Sequence, residues 1–549
     1  LACFTLLAVW RLWRFARSAR ATDALLSAAG VALALLSKYS GLVTVAIVAG
    51  LVAVMATARR LAPGRIAPDA RALLAFVAAA ALISSLLVAV AFGFPHGLTR
   101  YAQGLGRVYA DFNPEWEGFL RGEYSKTGFR AYYLFAQLWK TPLPVLLLFL
   151  AALATIDRHD RGAWVDWAFV LVPIGAFHAA GVFNHANIGI RHILPVFPFL
   201  LLSTGAAARG LSQRGAAARV AVVALALWHA AGTLRAAPHF LSYFNELAGG
   251  TEHGMEYLDD SNIEWGQDYY RLREYLARSR PDRARLFAFE PLPAAAYGID
   301  LAEATLRDAV WPEEGVTYFA GASHLQRSSI LAEVPGVRFH WLDRYRPVDR
   351  VGGSILVYRF STRVADRRRP TVVYVPKRQW YETAITDLEA ILARAPRFLR
   401  ARAILAGVYE NRAEWHEADG DAAAALADSV RAVETLPSGE RRMRLRAAID
   451  RLGPRVASAS VSAEDARTRA ELALRRGDRA AAMLALLSVV RGARADAAPH
   501  AALAAIYQSL GLPRLAGAEW RTCLAIDPAY GPAIEALARL PRESAGAAR

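Results

Sequence analysis

Apolar residues crowd into the first 235 positions of this chain and thin out afterwards. A run of about 20 such residues crosses a hydrocarbon core of about 30 Å. Spans are expected near 72–92, 142–157, 165–182, 193–208 and 219–235, preceded by a short one, Leu1 to Trp10. The run 24–56 would overshoot a single crossing, and Lys38-Tyr39-Ser40-Gly41 interrupts it, so two helices turning at Lys38 are expected. Because the chain opens with Leu1 inside an apolar run, it is read as lacking an N-terminal portion.

Arginines punctuate these runs: Arg11, Arg14, Arg17 and Arg20; Arg59, Arg60, Arg65 and Arg71; Arg158 and Arg161; Arg209, Arg214 and Arg219. They fall in every second connection, the pattern of cytoplasmic loops. The same parity puts Lys38, the loop 93–141, the loop 183–192 and everything after 235 on the opposite face. Membrane domain 1–235 is therefore followed by an extracytoplasmic remainder.

Residues 236–360 alternate strand-like runs with polar helices, as in Arg285–Phe289, Val316–Ala320, Ser354–Tyr358 and the helix Asp268–Arg278. That alternation predicts a small α/β domain. A linker, 361–378, holds Arg367-Arg368-Arg369-Pro370. The remainder, 379–549, is Ala-rich and helical, and its clearest unit, 497–530, resembles a tetratricopeptide repeat. Leu503, Ala504, Tyr507, Ala516, Trp520 and Pro528 fall at that spacing: small residues let paired helices approach, large ones fill the seam, and the proline stops the second helix. Leu405, Ala406 and Tyr409 repeat the first-helix pattern. Ala425 with Pro437, and Ala384, Leu388 and Pro396, repeat the second, and a degenerate unit covers 470–494 without a closing proline at Arg494. A generic helical bundle is the alternative.

Composition changes this picture little. The net charge of +16 would suggest nucleic acid in a small soluble protein, but many of the arginines flank apolar runs and no basic stripe is interleaved with aromatics. Nucleic acid is not expected as a partner. The two cysteines, Cys3 and Cys523, offer neither metal spacing nor a reasonable disulfide, and no metal site is expected. A phosphate-cradling glycine loop is not found, which argues against a nucleotide-sugar donor.

Four stretches carry a specific resemblance. They are Gly30–Ser40 ending its apolar run in Lys38, Tyr132–Pro144, Asn187–Pro195, and Tyr243–Gly250 followed by Asp260–Asp268. In this order they resemble the polyprenyl-phosphate-dependent glycosyltransferases of the GT-C fold, a bacterial branch akin to the protein O-mannosyltransferase family. The resemblance covers about 30–360, and Glu264 stands where that family commonly has Asp. It implies a multi-pass helical enzyme that transfers a sugar from a lipid-linked donor to a protein or glycan acceptor outside the cytoplasm. The family's catalytic carboxylate lies in a first outer loop between helices this chain lacks, so no catalytic residue is expected here and no cofactor beyond the donor.

Lys38, at a helix–helix turn, and Arg191 with His192, before a span, are the candidates for the donor phosphate, whose developing charge they would offset. A snorkelling lysine and a headgroup-anchoring arginine are the plain alternatives. Lys140, beside Trp139, reads as an interfacial anchor. Asp260, Asn262, Glu264, Trp265, Gln267 and Asp268 suit either an acceptor sugar or the docking of the soluble domain, with docking favoured; Asp260–Asn262 could instead cap a helix. The rival reading is a membrane-anchored repeat scaffold without chemistry. A transporter would need ionisable residues at mid-depth, where almost none are seen.

Overall fold

A computed structural model describes the chain except residues 62–63, 65, 111–116, 157–159, 186, 288–292, 327–340, 364–371, 437–439, 457–462, 493–495 and 541–549. Arg65, Arg158, Phe289, Arg367–Pro370, Pro437 and Arg494, singled out in the sequence, lie outside the described residues, as does the side chain of Arg161.

The first ten helices are α1 Ala2–Ser18, α2 Ala21–Ser37, α3 Leu42–Leu61, α4 Ala70–Ala91, α5 Gly97–Ala110, α6 Tyr132–Lys140, α7 Leu143–Ala154, α8 Arg161–Val182, α9 Phe197–Ser212 and α10 Ala216–Ala236. Among the described residues five segments are long and apolar enough to cross a membrane: Tyr39–Arg60, Ala70–Ala91, Ala163–Val182, Ile190–Ser212 and Ala216–Ala236. Helix α1 does not end at Trp10 as expected; it runs on through Arg11, Arg14 and Arg17, and Arg11 and Arg14 pair with the buried Asp23 of α2. Small residues bring these two helices together. A Cβ on Gly30 would sit 2.8 Å from the Ala8 nitrogen, and Ser27 Oγ donates to Ala8 O at 2.8 Å.

The expected turn at Lys38 is present. Lys38 is extended (φ −165°, ψ 147°), and a short 3-10 turn over Tyr39–Gly41 leads into α3. Gly41 is required there, since a Cβ would meet Ala34 O at 2.3 Å.

The expected span 142–157 is not a simple crossing. Helix α7 has 12 residues, about 18 Å of rise, too short for the bilayer. It meets α6 at a bend of 114°. Broken backbone at that depth must be satisfied by protein, and Asn245 does this: its Nδ2 donates to Leu138 O at 2.6 Å and Thr141 O at 2.7 Å, and its own N–H donates to Trp139 O at 2.9 Å. The stretches Tyr132–Pro144 and Tyr243–Gly250 are thus halves of one joint.

Helix ends sort into two groups. At one end Arg17 and Trp13 reach Asp166, and Ala67 N bonds Ala16 O. At the other, the segments 118–129, 183–192 and 239–262 interlock: Phe129 N donates to Asn187 Oδ1, Ser261 Oγ to Ile188 O, and Arg121 N to Tyr257 O. The Lys38 turn belongs to this end, where Tyr39 packs on Tyr101 of α5.

Strands β1 Gly118–Leu120 and β2 Glu123–Ser125 form a hairpin. The α/β domain follows with α11 Tyr269–Ser279, β3 Ala284–Phe287, β4 Ala302–Glu303, α12 Leu306–Val310, β5 Thr317–Gly321, α13 Ala322–Gln326, α14 Trp341–Arg344, β6 Asp349–Val351, β7 Ile355–Ser361 and β8 Val373–Tyr374. The order is β4-β3-β5-β7-β6, with β8 on the end of β7. Side chains alternate across this sheet. Phe319, Ile355 and Val357 face the core under α11, while Tyr318, Ala320, Leu356, Tyr358 and Phe360 face Trp341 and α12.

The expected linker 361–378 is corrected. Ser361 still belongs to β7, Val373–Tyr374 pairs with it in parallel, and the next helix already starts at Lys377. Helices α15 Lys377–Arg394, α16 Leu399–Ala418, α17 Ala422–Thr435, α18 Glu440–Val456, α19 Ala463–Arg475, α20 Arg479–Gly492, α21 Ala497–Leu510, α22 Pro513–Ile526 and α23 Gly531–Arg539 complete the chain. The seam residues Leu405, Ala406, Tyr409, Ala425, Leu503, Ala504, Tyr507, Ala516 and Trp520 are all buried, as stacked helical hairpins require. Helix α18, Arg-rich and without repeat spacing, was not anticipated. It ties across the stack, with Arg441 on Glu410 and Arg446 on Leu510 O. Phe360 against Trp380 and Arg344 with Asp387 join α15 to the α/β domain.

Candidate functional site: a cationic cluster beside Trp265

Residues 187–196 reach the membrane-domain surface as irregular chain and a 3-10 turn, because Gly189 (φ 131°) takes a conformation closed to other residues and a Cβ there would meet Ser261 Oγ. Asn262 fixes this turn from the soluble side. Its Oδ1 accepts from Ile190 N at 3.0 Å, and its Nδ2 donates to Tyr132 Oη at 2.8 Å. Arg191 and His192 are held on the exit of that turn.

The structure brings Lys38, Arg191 and His192 within electrostatic reach of one another, although about 150 residues separate the first from the others. Partial desolvation, then the Arg191 charge, lowers the Lys38 ammonium below the usual lysine range. His192 lies 6.1 Å from the ring of the buried Tyr133. Among the described residues neither Lys38 nor Arg191 has a carboxylate within ion-pair distance. Like charges held together without a counter-charge make a favourable seat for an anion.

The polar cluster divides. Glu264, buried, accepts from Ser323 N at 2.7 Å; Asp268, buried, accepts from Gly353 N at 2.8 Å, Ser354 N at 3.1 Å and Ser354 Oγ at 2.9 Å. Asp260 is buried with φ 54°, within the 3-10 turn Asp260–Asn262, and accepts from Ser261 N, so the turn caps no α-helix. Gln267 bonds locally, to Trp265 N and Ile263 O. Asn262 ties the soluble part to the helical domain, whereas Glu264 and Asp268 hold turns within the α/β domain itself. Trp265 alone is exposed, at 46 %, and its ring lies under the Arg191 guanidinium at 4.7 Å.

Lys140 is corrected. Instead of anchoring at the interface, its Nζ donates to Leu241 O and Asn262 O, both at 2.6 Å, and lies over the Phe244 ring. Sequence reasoning also passed over Asn245 and Tyr132, whose partners are more than 100 residues away. His178 Nε2, paired with Gln137 Oε1 at 2.5 Å between α8 and α6, is a further polar contact inside the helical domain.

Trp265→Ala is expected to leave thermal stability nearly unchanged, since the ring is half exposed. It should loosen Arg191 and weaken anion binding by about 1 kcal/mol, the scale of one cation–π contact. Titration with a soluble isoprenyl phosphate checks this, and Trp265→Phe should recover part of the loss.

No protein-family model and no curated protein matches this chain. Among solved structures it is similar to the TPR2AB-domain:pHSP90-complex of yeast Sti1, at 23% identity over 29% of this chain and 62% of that one, with a TM-score of 0.14. The chain therefore spans less than two thirds of that structure's length. The helical repeats rest on their own buried seams.

Proposed function

We propose that this protein is a membrane glycosyltransferase that moves a sugar from a polyprenyl-phosphate carrier to a protein or glycan acceptor. The observation that carries the reading is the meeting of Lys38 and Arg191, with no carboxylate partner among the described residues, at the end of the helices where the α/β domain docks. In the transfer step an acceptor hydroxyl attacks the anomeric carbon and gives its proton to a base. The bond between that carbon and the phosphate oxygen breaks, and its electrons leave on the phosphate. Arg191 offers that phosphate a planar fork of N–H donors and Lys38 a point charge, so both stabilise the departing anion. In the resembling family the base is a carboxylate of the first outer loop, and no residue of this chain is given that role.

We put the site and residues 236–549 outside the cytoplasm of an inner membrane, a reading that the arginine parity supports. The repeats, tied to the α/β domain through Arg344 and Asp387, would hold a polypeptide acceptor or a partner protein on their concave side.

The test is label transfer in membranes carrying the full-length protein, from radiolabelled polyprenyl-phosphate hexoses. Protein-dependent transfer supports the reading. No transfer from any of these donors, with the protein expressed and folded, contradicts it and leaves a repeat-bearing membrane scaffold. Donor affinity should also fall as pH rises through the lowered Lys38 value, because the ammonium loses its proton there while Arg191 stays charged. Binding measured from pH 7 upward checks the sign, and Lys38→Arg should flatten the profile.

A further inference from the structure

A cavity of about 1170 Å³ opens between the β1–β2 hairpin and the sheet of the α/β domain, lined by none of the residues given above to the donor phosphate. The hairpin is its outer wall. Arg121 and Gly122 form a two-residue turn with φ of 52° and 83°, the geometry that suits a twisted hairpin. A left-handed arginine is strained by about 1 kcal/mol, where Asn or Gly would sit easily. The hairpin is clamped on two sides: Arg121 N donates to Tyr257 O at 3.0 Å, and Tyr124 Oη donates to Gln326 O at 2.7 Å.

Two groups on the cavity wall are left unsatisfied. The Tyr358 hydroxyl and Gln326 Oε1 are both buried, with the residues 0% and 6% exposed, and neither has a hydrogen-bond partner among the described residues. Each such group costs about 1–3 kcal/mol when left unpaired. Both residues border the cavity with almost no accessible surface, so a ligand that opens this wall slightly gains two hydrogen bonds that the described residues do not supply.

The rest of the lining narrows the ligand's class. Arg121, Arg346 and Arg350 line the same cavity as Glu252, Glu256 and Asp349, so its formal charges balance and no net anion is called for. Tyr124, Tyr257 and Tyr345 add half-buried aromatic faces. Aromatic faces against C–H surfaces, with carboxylates and guanidinia for adjacent hydroxyls, are what a pyranose chain presents partners for. The volume exceeds the usual range of about 300–1,000 Å³ for a small-molecule site, which leaves room for more than one ring. A peptide added to the edge strand β6 fits less well, because Asp349 Oδ1 already accepts from Arg350 N at 2.8 Å.

We propose that this cavity binds a neutral oligosaccharide, with Tyr358 and Gln326 pairing to its hydroxyls and the hairpin tyrosine Tyr124 against a ring face. As a binding site it stands alone; as the acceptor site it rests on the transferase reading.

The experiment is saturation-transfer NMR on the full-length protein in detergent, without lipid donor. The probes are neutral tri- and tetrasaccharides of glucose, mannose, galactose and N-acetylglucosamine at millimolar concentration. At least one is expected to receive saturation on its ring protons. Tyr358→Phe should weaken that binding at least tenfold, and Tyr124→Ala should do so independently, while donor-phosphate binding stays as in the wild type. No saccharide signal, or a signal that neither variant changes, overturns the proposal. So does a Tyr358→Phe protein that only melts higher, the outcome if the hydroxyl is merely a buried defect. Saccharide binding without sugar transfer would count against the transferase reading alone, and transfer without saccharide binding against the cavity alone.

Discussion

Arg191→Ala is expected to lower sugar transfer by about 10²- to 10³-fold, the usual cost of removing one donor aimed at developing charge. The guanidinium sits over Trp265 at 4.7 Å and beside Lys38, so its fork is oriented before any donor arrives. Its removal takes away a preorganised charge and leaves the fold standing, because Arg191 is only half-buried and has no carboxylate partner among the described residues. Arg191→Lys should fall between, since an ammonium keeps the charge and loses the two-pronged geometry. Lys38→Ala should act in the same direction, and the double variant should cost less than the product of the two, because both residues serve one anion. Transfer assays on variants matched for membrane expression measure these ratios. Unchanged transfer in Arg191→Ala would remove it from the site.

Asp268→Ala is expected to act on the fold instead, loosening the Gly353–Ser354 turn of the α/β domain by about 1–3 kcal/mol for each donor left unpaired. The carboxylate is buried, and it holds the Gly353–Ser354 turn through two backbone N–H groups and one hydroxyl while Arg271 and His239 approach its other oxygen. Alanine would strand those donors away from water. Gly352 (φ 64°) lies so close that its Cβ would clash with this carboxylate, so the turn has no room to find another partner. Hydrogen exchange over residues 349–360 should rise strongly in Asp268→Ala and less in Asp268→Asn, which keeps one acceptor oxygen. Equal protection in wild type and Asp268→Ala would show that the turn is held by packing alone.

Local signals were legible in the sequence, and long-range meetings were not. A lysine followed by Tyr-Ser-Gly inside an apolar run announces a turn, and Lys38 makes one. Leu503, Ala504, Tyr507, Ala516 and Trp520 announce a helical hairpin by spacing, and all five are buried. The run 142–157 misled because hydropathy cannot see that Thr141–Pro142 is a break; its satisfaction by Asn245 depends on a residue 104 positions later. The hairpin 118–125 was missed because three-residue strands carry no periodicity. The linker was misjudged because a two-residue strand, Val373–Tyr374, gains its place from Phe360 and Ser361 alone.

At the candidate site the same division holds. Lys38, Arg191 and His192 each stood out as a cation at a span end, but their meeting is a product of the fold. The cluster 260–268 suits sugar-binding or docking in the sequence, with docking favoured. Burial separates its members: Asn262, Glu264 and Asp268 are spent on backbone groups, and Trp265 is left facing the cations.

The most direct test of the account is photo-crosslinking with a polyprenyl phosphate that carries a diazirine next to the phosphate, followed by peptide mapping. Adducts on residues 37–39 and 189–193, competed by unlabelled lipid phosphate and lost in the Lys38→Ala, Arg191→Ala double variant, are the predicted result. Specific adducts elsewhere on the chain, with none on these two segments, would contradict the phosphate site and the transferase built on it.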